Sequence, residues 1–300
     1  MGIKRKIAEK LLPVARLYIR YSPFKIGKLF LFKQFRWRDF NYTTRTKFRV
    51  LMSGRAADLV QGFIYYFGVW EPNLSMFINS RLKGYSDRTF VDIGANVGYF
   101  SLLAASHVKD GIVVSIEAFP SIFKQLEKNV HLNNFGNIRL VPWAVTDIER
   151  DILMFHAGVG NEGATTSVAG KFNSEPVKVP GKPLPSLLTD REIRSIKLIK
   201  IDVEGAEYSV ITGMRELIKL LPYDAEVVVE ITPSAYSEGQ LVEIFDIFKS
   251  ALFLPYALEN SYDPNYYIQA PKTVRPCFLR SLPTKQTDVV FSRVSAEFLG

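Results

Sequence analysis

From Thr89 onward the chain switches repeatedly between two hydrophobic periods. Thr89 to Ile93 (TFVDI) is a short β-branched apolar run that reads as a strand, and Tyr99 to Ser106 (YFSLLAAS) is an apolar segment of helical length. Ile112 to Phe119 is the next strand. The helix after it keeps Ile122, Leu126 and Val130 at four-residue steps, with Ser121 placed to cap it. A strand over Ile138 to Val145 follows, in which Pro142 indicates an irregular or edge position. The rhythm resumes with a strand within Lys197 to Tyr208 that alternates through Glu204, a strand at Ala225 to Ile231, and then an amphipathic helix over Ser237 to Ala251. Phe253 to Leu258 and Thr287 to Ser292 read as a closing antiparallel pair, joined through an aromatic excursion at Tyr262, Tyr266 and Tyr267. Strands alternating with helices predict an α/β fold, a doubly wound, mostly parallel sheet with helices on both faces.

Two regions depart from that rhythm. Residues 148–190 are rich in Gly, Ser, Thr and Pro and lack a clear helix, which predicts a small β insertion or a lid over the acceptor. Residues 43–84 bridge to the sheet through a strand-like Phe48 to Met52, an apolar stretch at Phe63 to Trp70 and a helix-like LSMFINSRL. Glu71, just before Pro72, reads equally as an acid folded over a ligand and as an exposed loop acid. The chain divides into a basic amphipathic arm, 1–50, and a main domain, 51–300, with closing strands over 253–293.

Charge sharpens the division. Of the net +8, residues 1–50 hold 14 Lys or Arg against Glu9 and Asp39, a surplus of 12, so the rest is mildly acidic at about −4. In the arm, Lys and Arg alternate with Leu, Ile, Phe and Trp at roughly helical intervals, broken at Pro13 and Pro23, and no apolar run reaches the ~20 residues that span a bilayer. Two readings stay open: residues 1–40 make peripheral contact with an anionic membrane, or they pack on the domain as short helices. Nucleic acid ranks third, because the body lacks a basic groove. A single cysteine, Cys277, excludes a disulfide framework and suits a reducing cytoplasm. His107, His131 and His156 share no metal-ligand spacing.

The chemistry centres on FVDIGANVG, Phe90 to Gly98. A dinucleotide turn needs three glycines at fixed places; counted from Gly94 they fall on Asn96 and Tyr99, so only one matches, which argues against an NAD-linked oxidoreductase. Asp92 at the strand tip repels phosphate and attracts a cation. S-adenosylmethionine carries an ammonium and a sulfonium and no phosphate, and suits an acidic turn lined by Gly94, Asn96 and Gly98. Glu117, nineteen residues past Gly98, stands where a ribose presents two hydroxyls to a carboxylate. Trp143 and Ala144, at the tip of the third strand, face an adenine or belong to the core. In KLIKIDVEGAEY (Lys197 to Tyr208), alternation sets Lys200, Asp202 and Glu204 on one face at the ligand-binding end of the strand, and Glu207 favours the N-terminus of the next helix. An alternative use of the acids at 202, 204 and 230 is to hold Mg²⁺; no metal ligand is assigned.

WEP (Trp70 to Pro72), VDIGANVGYFSLLAA, the acid closing the second strand, WAVTD and LIKIDVEGAE together resemble the FkbM-type S-adenosylmethionine-dependent methyltransferases over about residues 65–235. The chain departs from the family pattern in EAFP (Glu117 to Pro120), where an acid followed directly by Pro is commoner. The resemblance implies a Rossmann-like seven-stranded sheet, the class I methyltransferase fold, and methyl transfer to a hydroxyl of a sugar, glycolipid or secondary metabolite. It implies Asp92, Gly94, Asn96 and Gly98 around the methionine part of the cofactor, Glu117 on the ribose, and Trp143 and Ala144 near the adenine. Asp202 is then the first candidate for the base, Glu204 the second, and Lys200 keeps them ionised. The alternatives from other classes are an RNA ribose methyltransferase and a non-catalytic, membrane-associated protein of the same fold. Oligomeric state is not fixed by the sequence.

Overall fold

The computed structural model describes residues 2–157, 165–167, 174–269 and 275–294, with side chains from residue 11 onward except that of Thr165. Strands β1 (Asn41–Arg45) and β2 (Leu51–Arg55) form an antiparallel hairpin. The alternating region supplies β3 (Thr89–Ile93), β4 (Ile112–Ile116) and β5 (Ile138–Val141). Strands β6 (Ala144–Val145), β7 (Arg150–His156), β8 (Thr165–Thr166) and β9 (Val177–Lys182) form a second small sheet. The main sheet is completed by β10 (Ile196–Ile201), β11 (Glu226–Ile231), β12 (Leu254–Leu258), β13 (Cys277–Phe278) and β14 (Thr287–Ser292).

Its order is β13-β12-β14-β11-β10-β3-β4-β5, parallel from β11 through β5, with β14 running antiparallel to both its neighbours. The expected seven strands are all present, and the two-residue β13 extends one edge. The expected strand over 138–145 is broken at Pro142: β5 is the far edge of the main sheet, and β6 leaves it to pair with β9. Among the described residues of the expected 148–190 insertion, β7, β8 and β9 join β6 in a sheet separate from the main one; 158–164 and 168–173 lie outside the described residues.

Helices α1 (Gly2–Tyr21), α2 (Lys28–Phe35), α3 (Leu59–Phe67) and α4 (Pro72–Leu82) precede the sheet. Helices α5 (Tyr99–Ala105), α6 (Pro120–Asn133), α7 (Asp190–Arg194), α8 (Glu207–Gly213), α9 (Arg215–Leu220), α10 (Glu238–Ser250) and α11 (Pro264–Gln269) follow. Two cores lie on opposite faces of the sheet. Phe90, Leu198, Val228 and Val290 point toward α3, α4 and α5, whereas Val91, Ile199, Val227 and Val289 point toward α8, α9 and α10. Ser121 does not cap α6, which begins one residue earlier at Pro120, a residue suited to the first helical turn because it has no N–H to leave unpaired.

The N-terminal layer is tied to the sheet by an unexpected device. Helix α6 presents Gln125, Asn129 and Asn133 at four-residue spacing, a single stripe. The second edge of β2, turned away from β1, bonds to that stripe as it would to a strand. Asn133 accepts from the Leu51 N–H at 2.7 Å and donates to its carbonyl at 2.8 Å, Asn129 accepts from the Ser53 N–H at 2.8 Å, and Gln125 donates to the Ser53 carbonyl at 2.7 Å. Asn129 is fully buried and also donates to the Val97 carbonyl at 2.9 Å, inside the turn that follows β3. Replacing it strands buried backbone groups on two elements at once, each worth about 1–3 kcal/mol. Asn129→Ala is expected to lower the stability of the chain by about 2–4 kcal/mol, read as a drop in the urea midpoint at unchanged m.

Candidate active site

The chain leaves β3 through backbone conformations that side chains rarely adopt: Gly94 has φ 77°, Asn96 51° and Gly98 87°. A Cβ on Gly94 would stand 1.8 Å from the Asp202 carbonyl oxygen, a backbone atom that cannot yield, so the turn passes under the end of β10 only as glycine. Asn tolerates the left-handed region better than most residues, because its short side chain hydrogen-bonds locally; here Asn96 Oδ1 accepts from the Val97 N–H at 2.8 Å.

Glu117, one residue past β4, locks this turn to its neighbour. Its Oε2 accepts from the Asn96 N–H at 2.9 Å and its Oε1 from the Phe119 N–H at 2.8 Å. Burial dominates its protonation and pushes the carboxyl up to about 7, against the pull of those two N–H groups. Two of roughly four carboxylate lone pairs are spent on backbone. The others remain at the edge of a cavity of about 520 Å³.

That cavity lies beyond the C-terminal ends of the strands, where ligands of open α/β sheets bind. It brings together Gly94, Asn96, Glu117, Trp143, Ala144, Asp202 and Glu204, and the small sheet covers it with Ile152, Met154 and Phe155 of β7. Trp143 lines the cavity and packs against the core behind it, with the Lys182 ammonium 4.8 Å from its ring centroid. The cavity is lined by the acids Glu117, Asp151, Asp202 and Glu204 and by Arg150; Asp151 pairs with Lys178 at 2.7 Å, Asp202 with Lys200 at 2.9 Å and Arg150 with Asp147 at 2.8 Å.

Three sequence expectations need correction. Asp92 does not line the cavity: it is fully buried, and its Oδ2 accepts from the Ser101 hydroxyl at 2.5 Å while its Oδ1 has no hydrogen-bond partner. Gly98 is also outside the lining, its missing Cβ making room for Leu126 of α6. Glu204 does not share a strand face with Lys200 and Asp202, because β10 ends at Ile201 and the chain turns through Glu204 (φ 56°) and Gly205 (φ 104°). Glu207 secures that turn, accepting from the Val203 and Gly205 N–H groups at 3.1 Å each.

Lys200 is 3% exposed and lies abreast of Asp92 on the neighbouring strand. Its ammonium donates to Asp202 Oδ2 at 2.9 Å. Burial alone would lower the lysine's pKa, but the attraction of Asp202, Asp92 and Glu71 outweighs it and raises it, so Lys200 is charged. Sequence reasoning missed most of what surrounds it. Glu71 is 2% exposed, not a loop acid, and its own N–H is held by the Tyr267 hydroxyl at 3.1 Å. The Tyr262 hydroxyl lies 2.8 Å from Glu71 Oε1 and 2.8 Å from Glu230 Oε1. A phenol has one proton, so both contacts are satisfied together only when one of the two carboxyls is itself protonated and donates. Burial accordingly raises Glu71 and Glu230 far above the usual carboxylate range, and Asp288, opposite Glu230 on β14, is pushed up to about 8. The period-2 alternation of β11 and β14 was the signal that could have placed Glu230 and Asp288 on the face of Lys200.

A parallel sheet with this strand order, an acidic glycine turn after its first strand and an acid after its second define a class I methyltransferase. The FkbM methyltransferase domain matches residues 92–255, and the chain belongs to that family, whose cofactor is S-adenosylmethionine. Among similar proteins are methyltransferase 1 of Beauveria bassiana, 24% identical over 146 residues, and methyltransferase sdnD of Sordaria araneosa, 26% identical over 166. The matches cover 43% and 44% of this chain and 59% and 62% of those proteins, so the chain spans about three fifths of the curated relatives it matches. A solved S-adenosylmethionine-dependent methyltransferase from Agrobacterium tumefaciens aligns at TM-score 0.46 and 10% identity, over 85% of this chain and 70% of that one.

The raised pKa of Glu117 has a measurable sign. Folded, the carboxyl holds its proton up to about pH 7; unfolded, it loses it near 4.5. The stabilisation is complete below about pH 4.5 and is lost as pH rises through 7, up to about 3 kcal/mol. Unfolding free energies measured from pH 4.5 to 8 should fall with pH in the wild-type chain. Glu117→Gln should flatten that slope.

Proposed function

We propose that the chain is an S-adenosylmethionine-dependent O-methyltransferase acting on a hydroxyl of a sugar, glycolipid or secondary metabolite. The observation that carries this reading is the junction at Asp202, which lines the acidic cavity on one side and receives the Lys200 ammonium on the other. When bound, the cofactor supplies a methyl group on a positively charged sulfur, with a neutral thioether as leaving group.

The residues divide the remaining work. Glu117 offers its two free acceptor positions to paired ribose hydroxyls, and Trp143 with Ala144 provides a flat apolar wall for adenine. Gly94 and Asn96 line the methionine end. Asp92, with an unpaired oxygen behind the turn, contributes negative potential there. Holding the acceptor oxygen in line with the methyl group is worth roughly 7–11 kcal/mol of the barrier. A sugar hydroxyl also needs to lose its proton, and Asp202 is placed to take it, with Glu204 second. Lys200, charged and buried, sets its ammonium 2.9 Å from Asp202 Oδ2 and so fixes that carboxylate at the cavity's edge. Ile152, Met154 and Phe155 above the cavity exclude water. In this reading the enzyme works in the cytoplasm on a small-molecule or glycan acceptor, and residues 1–40 are its contact with a membrane.

The turn, the wall and the junction make separable contributions. Asp92→Ala and Glu117→Ala are each expected to weaken S-adenosylmethionine binding by about tenfold or more, one to two kcal/mol, in isothermal titration. Asp202→Ala should leave that affinity within a few fold and lower turnover by about 10²–10⁴, measured by transfer of labelled methyl to products in a cell extract. Equal losses in all three would overturn the division of roles. No cofactor binding by the wild-type chain would favour a non-catalytic protein.

A further inference from the structure

Helix α1 has two apolar sides. Ala15 and Ile19 are buried against the domain, at 6% and 2% exposure. At 100° per residue, Val14, Leu17 and Tyr21 fall together on the opposite side, at 54–67% exposure, and Leu11, 51% exposed, flanks them. The exposed row continues beyond the helix: Phe24 at 68%, Ile26 at 86%, Phe30 at 64% and Trp37 at 77%. Single exposed apolar residues are ordinary, whereas eight large ones within 27 residues need a partner.

We propose that residues 11–37 form a docking surface for an anionic lipid bilayer, seated in the headgroup layer with the apolar row directed into the acyl boundary. Three observations select this occupant. The first is charge: residues 11–37 hold six Lys or Arg and no acid, and Lys25 and Lys33 are exposed among the apolar residues. An anionic surface complements that surplus, while a second copy of the chain would repel it. The second is where the arginines go. Arg16 donates to the Tyr65 carbonyl at 3.1 Å and Arg36 to the Ala56 and Ala57 carbonyls at 3.2 Å each, so they brace the arm from within. What is left outside is more apolar than a phosphate-tracking nucleic-acid site, which needs its guanidinium groups free. The third is the kind of apolar residue, since Trp37 and Tyr21 are amphipathic aromatics suited to the interface between water and lipid. Among the described residues no helix is long and apolar enough to cross a membrane, so the contact is one of lying on the surface, about 5–10 Å deep.

The surface is firmly attached to the enzyme body. Phe32, on the buried side of α2, packs 5.3 Å from Phe63, which packs 4.6 Å from Tyr267 and 5.8 Å from Trp70; Trp70 stacks on Tyr262 at 5.3 Å. Docking therefore fixes the orientation of the wall that carries Glu71 and Tyr262. The proposal deepens the membrane reading of residues 1–40 and does not depend on the identity of the acceptor.

Sedimentation of the full chain with phosphatidylcholine vesicles, with and without one third phosphatidylglycerol, tests it. Binding to the anionic vesicles should be at least about tenfold tighter and should weaken with salt. The emission of Trp37 should shift to the blue as it leaves water. Replacing Phe24, Ile26, Phe30 and Trp37 together by Ser should abolish binding, and Lys25→Glu with Lys33→Glu should weaken it by about tenfold or more. Titration of S-adenosylmethionine on the same preparations checks that each variant is folded, and separates failure of this surface from failure of the methyltransferase reading. Equal binding to neutral vesicles, no binding to either, tighter binding to single-stranded RNA, or a dimer that the Ser variant dissociates would each overturn the proposal.

Discussion

One buried ammonium organises the functional end of this sheet. Lys200 sits in the middle strand with Asp92 abreast of it, Asp202 two residues on and Glu71 overhead. Isolated carboxylates in an interior would be expensive, and a lysine alone there would lose its proton. Placed together they sustain one another, at the cost that no member can be removed without leaving a charge uncompensated. The geometry follows from the pleat. Lys200, Asp92, Glu230 and Asp288 all occupy alternate positions facing α3, α4 and α5, and the twist of a parallel sheet brings such positions close at its carboxyl end.

The same arrangement explains the layer that precedes the sheet. Glu71, whose charge acts on Lys200, stands at the junction of α3 and α4 and takes a left-handed conformation there, at φ 42°. Strain of this kind persists where surroundings over-determine it. Here they do so through Tyr262 and Tyr267, residues nearly two hundred positions away that bond to the side chain and the backbone of Glu71. The beginning and end of the chain thus close over one face of the sheet, while the small sheet of β6 to β9 closes over its end. Two covers, one aromatic and one largely aliphatic, meet at Asp202, which lines the cavity and receives the Lys200 ammonium.

Much of this was legible in the sequence, for identifiable reasons. Thr89 to Ile93 and Ile196 to Ile201 are buried on both faces, so they are written as dense apolar runs that few other elements produce. The glycine turn was legible because Gly94 answers a steric demand of the backbone. Glu204 was misplaced because alternation holds only while the strand lasts, and its end at Ile201 is set by the turn that Glu207 caps. Glu71 and Tyr262 were opaque for a different reason: their meaning comes from a contact between distant segments, and no local pattern encodes it. Asp92 was read as touching the ligand when it stands behind the turn, since spacing reports which strand tip a residue occupies and not the side chain's depth.

The stripe of amides on α6 has a consequence for how such chains change over time. Because Gln125, Asn129 and Asn133 take the place of a neighbouring strand for β2, the hairpin is read out by a helix whose rows turn by about 100° per residue. Inserting or deleting a single residue between them would swing the row away and leave the outer edge of β2 without its partners. The hairpin and α6 therefore form one inheritable unit, and grafting a different leader onto this fold succeeds only if that helix travels with it.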